Sequence, residues 1–153
     1  MRKIKLAFLM FTLCLFVFSS CKKDKETSKA EAGMSVKIDG TLKASNAPAA
    51  ATIYQSENTI QIIGRFSSSE GISIMLNEVK TGEFDVATDA ALVAYMEGTD
   101  PDQGFLGETG TVKITSLTDE MVKGTFEFTA KRALGEDVRV ITEGTFEAKV
   151  IKL

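Results

Sequence analysis

The clearest structural signal in the chain lies in two stretches, VKGTFEFTA (122–130) and VRVITEGTFEAKV (138–150). In both, most apolar side chains fall on even positions and most polar side chains on odd positions. An alternation with a period of two is typical of a strand that buries one face and exposes the other. We therefore predict two long strands that pair as a hairpin and pack the faces of Phe126, Phe128 and Phe146 into a core.

The register of this hairpin follows from the same pattern. Both apolar sets must meet on one face, so paired residue numbers should sum to an even value. A three-residue loop, 133–135, with Gly135 in the left-handed conformation satisfies this condition and places Lys131 opposite Asp137. We accordingly predict that Val138 and Val140 point inward and that Phe128 pairs with an even-numbered residue. A strand over 138–150 is longer than usual, so we also expect it to bend near Gly144 and to serve two sheets.

Weaker versions of the pattern occupy most of the chain after residue 33. The residues of 34–39 alternate, and Asp39-Gly40 is a strong hairpin signal. Further strands are predicted at 41–44, 52–55, 59–66, 72–76, 83–86 and 110–115. For 89–97 we favour a strand, with a helix capped by Asp89 as the alternative. These elements predict one antiparallel all-β domain over 34–153, with nine or ten strands in a two-sheet β-sandwich; a closed calycin-like β-barrel is the alternative.

The N-terminus has the pattern of a secretory signal. Arg2, Lys3 and Lys5 precede an apolar run, 6–18, in which Thr12 is the one polar side chain. The run is shorter than the roughly 20 residues of a membrane-spanning helix, which favours cleavage. It ends in Phe18-Ser19-Ser20-Cys21, which is similar to a bacterial lipobox, whose cysteine receives a diacylglycerol and becomes the new N-terminus. We predict a signal peptide at 1–20 and lipidation of Cys21, while Cys14 leaves with the signal.

The segment after Cys21 is charged and has little apolar surface to bury, which is typical of a flexible tether over 21–33. We predict a protein that is lipid-anchored to the outer membrane through its first residue and faces either the periplasm or the cell surface. The charges of 22–26 loosely resemble the export signal of surface lipoproteins in the Bacteroidota.

Composition excludes several kinds of chemistry from the mature chain. Removal of three basic residues with the signal takes the formal net charge from −3 to −6. An acidic body lacks the positive charge that dominates nucleic-acid affinity, so we expect no nucleic-acid partner. The chain has no histidine, and Cys21 is the one cysteine that remains. Imidazole-dependent catalysis, thiolate nucleophiles, disulfides within the domain and most zinc sites are therefore excluded.

The order of strands resembles that of a family of small uncharacterised lipoproteins of the Bacteroidota. The similarity covers 34–150 and rests on VKIDG (36–40), GTVKIT (110–115), the stretch 122–130 and ITEGTF (141–146). These motifs consist of glycines and core residues. The resemblance implies a β fold and an envelope location, and it implies no activity.

Two pairs of carboxylates are candidate sites. Asp100 and Asp102 have a spacing found in calcium loops, but we favour a proline turn with no metal. Glu143 and Glu147 lie on one strand face, as a carboxylate pair for glycoside hydrolysis would, but we favour two solvated acids. We therefore predict no catalytic residue, no cofactor and no enzyme activity.

Several apolar residues occupy positions that the alternation places on the outer face: Ile63, Met75, Leu117, Ile141 and Ile151. A fully solvated face would not need them, so they indicate a second packed layer, a partner surface or the lining of a barrel. Our leading hypothesis is a noncatalytic, membrane-tethered module that binds an envelope protein. The alternative is a carrier of a small apolar ligand inside a β-barrel, for which an enclosed apolar cavity would be the evidence.

Overall fold

The computed structural model describes residues 32–153. Ten strands account for most of this range: β1 (Gly33–Ile38), β2 (Thr41–Ala44), β3 (Ala49–Tyr54), β4 (Thr59–Arg65), β5 (Gly71–Leu76), β6 (Gly82–Asp85), β7 (Ala91–Met96), β8 (Gly104–Leu117), β9 (Met121–Arg132) and β10 (Val138–Lys152). Two single 3-10 turns, Val86–Thr88 and Pro101–Gln103, precede β7 and β8. The all-β prediction is confirmed, and 89–97 contains a strand rather than a helix.

The strands form one continuous sheet. Its order is β2-β1-β10-β3-β4-β5-β7-β8-β6, and β9 pairs with both β10 and β8. The pairs β10-β3-β4-β5-β7-β8-β9-β10 therefore close a ring of seven strands. The sheet therefore closes on itself, as in the barrel alternative. β8 and β10 each pair with two different strands along the same edge, one after the other, and with β9 along the other edge. β10 pairs first with β1 and then with β3, while β8 pairs first with β7 and then with β6.

One pair in the ring is parallel, which differs from the purely antiparallel prediction. Ala148–Lys152 of β10 pairs in parallel with Ala49–Ile53 of β3. The reason lies in the β1–β2 hairpin, whose turn has positive φ at Asp39 (48°) and Gly40 (80°). After this hairpin the chain continues in the direction of β2, and β3 joins the edge of β10 just where β1 ends. β1 is antiparallel to β10 and β2 is antiparallel to β1, so β2 runs in the same direction as β10. Since β3 continues in the direction of β2, β3 is parallel to β10.

The inward face of every strand in the ring is apolar. Side chains that are essentially inaccessible to solvent include Phe105, Ile62, Ile72, Ile74, Leu76 and Ile141. Three phenylalanines from β9 and β10 pack together, with ring centroids 6.1 Å apart for Phe126 and Phe128 and 6.2 Å apart for Phe126 and Phe146. The described part of the chain buries no polar or charged residue completely. Alternation predicted this core well, and burial of these side chains is the main stabilising contribution.

The predicted register of β9 and β10 is wrong in the first half of the hairpin. Phe128 pairs with Ile141, an odd-numbered residue, and Lys131 pairs with Val138 instead of Asp137. The connection is longer than predicted, spanning 133–137, and Gly135 is not left-handed. As a result Val138 and Val140 are exposed and Ile141 is buried.

A β-bulge restores the predicted register in the second half. Between Ile141 and Gly144 the pairing with β9 shifts by one residue, and Glu143 adopts a positive φ of 52°. From Gly144 onward the even positions face inward, as predicted, so that Phe146 and Ala148 are buried. The predicted bend near Gly144 is therefore confirmed, and the odd-numbered Ile141 is an inward residue on the other side of it.

Replacement of Gly144 by alanine should destabilise the protein by about 1–3 kcal/mol, a cost typical of overpacking. A Cβ atom at this position would come within 2.5 Å of the carbonyl oxygen and a ring carbon of Phe126. Urea unfolding of Gly144→Ala measures the change. Glu143→Gly is the matched control, since glycine tolerates positive φ without strain; we expect its stability to equal or exceed that of the unmodified protein. Equal stability of both variants would contradict the proposed packing at the bulge.

Candidate binding surface

The predicted lipidation site cannot be placed in the fold. Cys21 lies outside the described residues, so its acylation stays a prediction. Described structure starts at Ala32, which is buried, and Gly33 already pairs with Glu147 of β10. The first described strand thus begins at Gly33, and the predicted boundaries at 20/21 and 33/34 stay predictions. Within residues 32–153, no helix has the length and hydrophobicity needed to cross a membrane.

Asp100 and Asp102 lie in the turn between β7 and β8. The N–H of Asp100 donates to Oε1 of Gln103 over 3.2 Å, and Nη1 of Arg132 donates to the carbonyl oxygen of Asp102 over 2.7 Å. The turn is thus held by protein hydrogen bonds. Among residues 32–153, no cluster of three or more histidine, cysteine, aspartate or glutamate side chains could hold a metal ion, so the two carboxylates lack a third protein carboxylate as a ligand.

Glu143 and Glu147 do not form a carboxylate pair. Nζ of Lys37 lies 2.7 Å from Oε1 of Glu143, and Nζ of Lys123 lies 3.0 Å from Oε1 of Glu147. The two acids also line different surface grooves, Glu143 beside Thr125 and Glu147 in a groove of about 610 Å³ near the start of β1. Each acid is therefore neutralised by its own lysine, and they do not share a cleft in which a substrate could contact both.

One end of the ring is closed by charged side chains that continue the inward-facing positions. Arg132 lies two residues after buried Ala130 on β9, and Arg139 lies two residues before buried Ile141 on β10, so both arginines are on the inward face. Their guanidinium carbons lie 4.6 and 4.7 Å from the ring centroid of Phe105. Both oxygens of Glu97 accept from Nη2 of Arg139, at 2.9 and 3.0 Å. The arginines are thus stacked on a buried aromatic ring and neutralised by acids, which makes this layer a lid over the core.

Sequence reasoning missed this charged lid. Arg132 lies two residues after Ala130, which the alternation places on the inward face, so the inward position of Arg132 could have been predicted from the sequence. Arg139 could not be assigned, because the predicted register placed it on the outer face. Only the true pairing of Ile141 with Phe128 brings Arg139 to the same side as Arg132.

Tyr95 belongs to the same end of the ring. Its hydroxyl donates to Oε1 of Glu70 over 2.6 Å, and Nζ of Lys43 lies 3.1 Å from the same carboxylate oxygen. Burial, together with the hydrogen bond to Glu70, raises the pKa of Tyr95 well above the ordinary tyrosine value. Lys43 lies on β2 and Glu70 precedes β5, so this network joins the N-terminal hairpin to the opposite wall of the ring.

The interior beneath the lid is filled with side chains. Phe105 and Val112 of β8, Val93 of β7 and Ile74 of β5 are all inaccessible to solvent. The carrier hypothesis required an enclosed apolar cavity, and these packed side chains occupy the space that a ligand would need. The apolar residues of the outer surface are therefore the more informative feature.

A continuous apolar strip runs across the outer face of β5, β7 and β8. Met75 pairs with Leu92, and Ala94 pairs with Leu106, so that the four side chains are neighbours on one surface. Met96 follows on β7. Leu92 is 58% exposed and Leu106 is 50% exposed, while Met75 and Met96 are exposed to a smaller extent. We call Met75, Leu92, Ala94, Met96 and Leu106 the apolar strip.

The other residues that the alternation placed outside have mixed positions. Met75 belongs to the strip, Ile63 is half-buried one strand away, and Ile151 is exposed on β10. Leu117 packs partly against the core, and Ile141 is buried by the bulge. The partner-surface interpretation is thus retained for Met75 and Ile63, while the anomaly at Ile141 has a structural explanation.

Stability should decrease at alkaline pH because of Tyr95. The folded-state pKa is raised, so above about pH 10 the unfolded chain loses the phenolic proton while the folded protein keeps it. The free energy of unfolding should then fall by up to about 1.4 kcal/mol per pH unit, and below about pH 10 this contribution should be constant. Urea unfolding at pH 9 and pH 11 measures the fall. In the Tyr95→Phe variant, the decrease in the free energy of unfolding between pH 9 and pH 11 should be smaller by the contribution of Tyr95. An identical decrease in both proteins would contradict the raised pKa.

Comparison with known proteins places the folded domain in a family. A model described as "Domain of unknown function (DUF6252)" matches residues 30–148, and the chain belongs to this family. The matched region includes β1–β9 and most of β10, and it ends at Ala148, where the pairing of β10 with β3 begins. No curated protein and no solved structure gives a significant match to the chain. The resemblance to lipoproteins of the Bacteroidota stays a prediction.

Proposed function

We propose that this DUF6252 protein is a lipid-anchored lipoprotein of the outer membrane that acts as a noncatalytic interaction module. In this proposal Cys21 carries the acyl chains, the following residues form a tether, and the folded domain presents the apolar strip to an envelope protein. The observation that carries the proposal is the exposed strip on a domain whose interior is filled.

The anchor is supported by the order of segments in the chain. An n-region, an apolar run of thirteen residues and Phe18-Ser19-Ser20-Cys21 stand in the arrangement of a lipoprotein signal. The described fold begins at Ala32, which leaves residues 22–31 between the anchor and the domain. Ten residues can extend to roughly 35 Å, enough to hold a small domain clear of the lipid headgroups.

The strip is supported as a docking surface by its position and by what surrounds it. Its side chains come from three adjacent strands of a rigid sheet, so they present a contiguous apolar face without rearrangement. A contiguous apolar face on a folded domain is typical of a protein interface. Methionines at its edge, such as Met75 and Met96, have flexible side chains that adapt to a partner.

A noncatalytic role is supported by the state of the acidic side chains. Carboxylate catalysis requires two acids that face one substrate in a shared cleft. Glu143 and Glu147 line separate grooves and are each paired with a lysine, and Glu97 is held by Arg139. These acids serve to neutralise cations on the surface and in the lid.

Replacement of Cys21 by serine should release the protein from the membrane, since a serine hydroxyl cannot take the thioether-linked diacylglycerol. Fractionation of cell envelopes and mass spectrometry of the mature N-terminus measure the effect. Cys14→Ser is the matched control, because Cys14 lies within the predicted signal and should leave with it; this variant should stay membrane-bound and acylated. An unmodified Cys21 in the mature protein would contradict the anchor.

Replacement of Leu92 and Leu106 together by serine should abolish binding of the partner without unfolding the domain. Both side chains point to solvent, so we expect the free energy of unfolding to change by less than about 0.5 kcal/mol per site. The measurement is capture from solubilised envelopes, followed by reconstitution of the purified partner at defined stoichiometry. Leu42→Ser with Ile151→Ser is the matched control, because it removes two exposed apolar side chains outside the strip. Equal loss in both variants, or none in either, would contradict docking at the strip.

A further inference from the structure

The acidic side chains around the apolar strip indicate what kind of partner fits it. We propose that the partner presents an apolar protein segment flanked by lysine or arginine side chains. This inference rests on the proposed function, since it takes the strip as the docking surface and adds the chemistry of the surface that covers it.

The first step is the distribution of paired and unpaired charges. Across residues 32–153, every lysine and arginine except Arg65 and Lys149 has a carboxylate oxygen within 4.0 Å. Many acids have no such partner. Over the same range, they are Glu57, Asp85, Asp89, Asp100, Asp102, Glu108, Glu120 and Glu127. The uncompensated charge of this surface is therefore negative.

The second step is the position of these acids relative to the strip. Asp89 lies two residues before the start of β7, and Asp100 and Asp102 lie in the turn that joins β7 to β8. Glu108 follows Leu106 by two residues on β8. All four are exposed. Half of the unpaired acids thus lie at the ends and the side of the two strands that supply most of the strip.

The third step concerns the basic side chains beside the strip. Lys131 lies opposite Leu106 in the pairing of β8 with β9, and its Nζ is 2.8 Å from Oε2 of Glu136. Glu136 and, more weakly, Glu108 raise the pKa of Lys131, as expected for a lysine in an acidic environment. Lys131 is therefore already paired with an acid. Arg65, which has no such partner, lines one groove with Met96 at the end of the strip, and the four unpaired acids outnumber this base.

Charge complementarity distinguishes the possible occupants. A second copy of the chain would bring acids against acids, and a bilayer with anionic headgroups would do the same, which opposes association at low ionic strength. A basic protein segment gains from the same charges, while its apolar centre covers Leu92 and Leu106. Electrostatic attraction of this kind raises the association rate and fixes the orientation of the partner.

The test uses the acylated protein in nanodiscs of zwitterionic lipid and three labelled peptides with one apolar centre of leucine and methionine. The peptides differ in their flanks, which are lysine, serine or glutamate. We expect fluorescence anisotropy to give a dissociation constant at least about tenfold lower for the lysine-flanked peptide than for the glutamate-flanked one at low salt. The difference should shrink as salt is raised, because screening shortens the range of the interaction. Empty nanodiscs are the blank.

Two charge variants locate the effect. The first neutralises the acids around the strip: Asp89→Asn, Asp100→Asn, Asp102→Asn and Glu108→Gln. The second neutralises the same number of unpaired acids elsewhere: Glu57→Gln, Asp85→Asn, Glu120→Gln and Glu127→Gln. We expect the first variant to lose the preference for lysine flanks and the second to keep it. Loss of the preference in both variants, or in neither, would overturn the local complementarity that we propose.

The remaining outcomes separate this inference from the proposed function. If the three peptides bind equally and the Leu92→Ser with Leu106→Ser variant binds none, the strip is a docking surface but its partner is not basic. If no peptide binds, both proposals fail for segments of this kind. Sedimentation of the protein without peptide tests the second copy: a dimer that the Leu92→Ser with Leu106→Ser variant lacks would overturn the inference in favour of self-association.

Discussion

The β-bulge of β10 at Ile141–Gly144 is the constraint on which the closed ring depends. A straight strand of this length would keep one parity from end to end and would present either Ile141 or Phe146 to solvent. The bulge inserts one residue, turns the strand, and lets both side chains enter the same core. β1 pairs with β10 on both sides of the bulge, from Ile141 to Glu147, and β3 takes the same edge from Ala148 onward. Closure of the ring follows from this exchange of partners.

The bulge also determines which polar groups belong to the interior. Because Ile141 points inward, Arg139 does so too, and it meets Arg132 and Glu97 over the ring of Phe105. Two guanidinium groups so close to the core require neutralisation, since an unpaired charge near a low-dielectric interior is costly. Glu97, Asp137 and Asp39 supply it. The lid therefore depends on the pairing register of β9 and β10, which turns Arg139 inward, as well as on the presence of arginines at these positions.

Because side chains fill the interior of the ring, the outer surface is the place to look for a binding site. The domain has ion pairs and hydroxyl groups over much of that surface, and such groups interact well with water. The apolar strip differs because its leucines and methionines gain nothing from solvent and are not needed by the core. In our proposal, the acids at its borders define the sign of the complementary charge on a partner. Membership of DUF6252 establishes the domain, and the chemistry of the strip is the basis for a functional proposal.

Local sequence determined the strands, the inward residues of most of them and the turn at Asp39-Gly40, because side-chain alternation and turn chemistry act over a few residues. It also predicted a bend at Gly144, since a glycine within an overlong strand favours one. The pairing of Phe128 with Ile141, the parallel contact of β3 with β10 and the closure of the ring were decided by the tertiary structure. These features depend on which distant segments compete for the edge of β10, and the loop at 133–137 gives no local signal for its length. The strip has the same origin: Leu92 and Leu106 are ordinary strand residues in the sequence, and only the alignment of β7 with β8 makes them one surface.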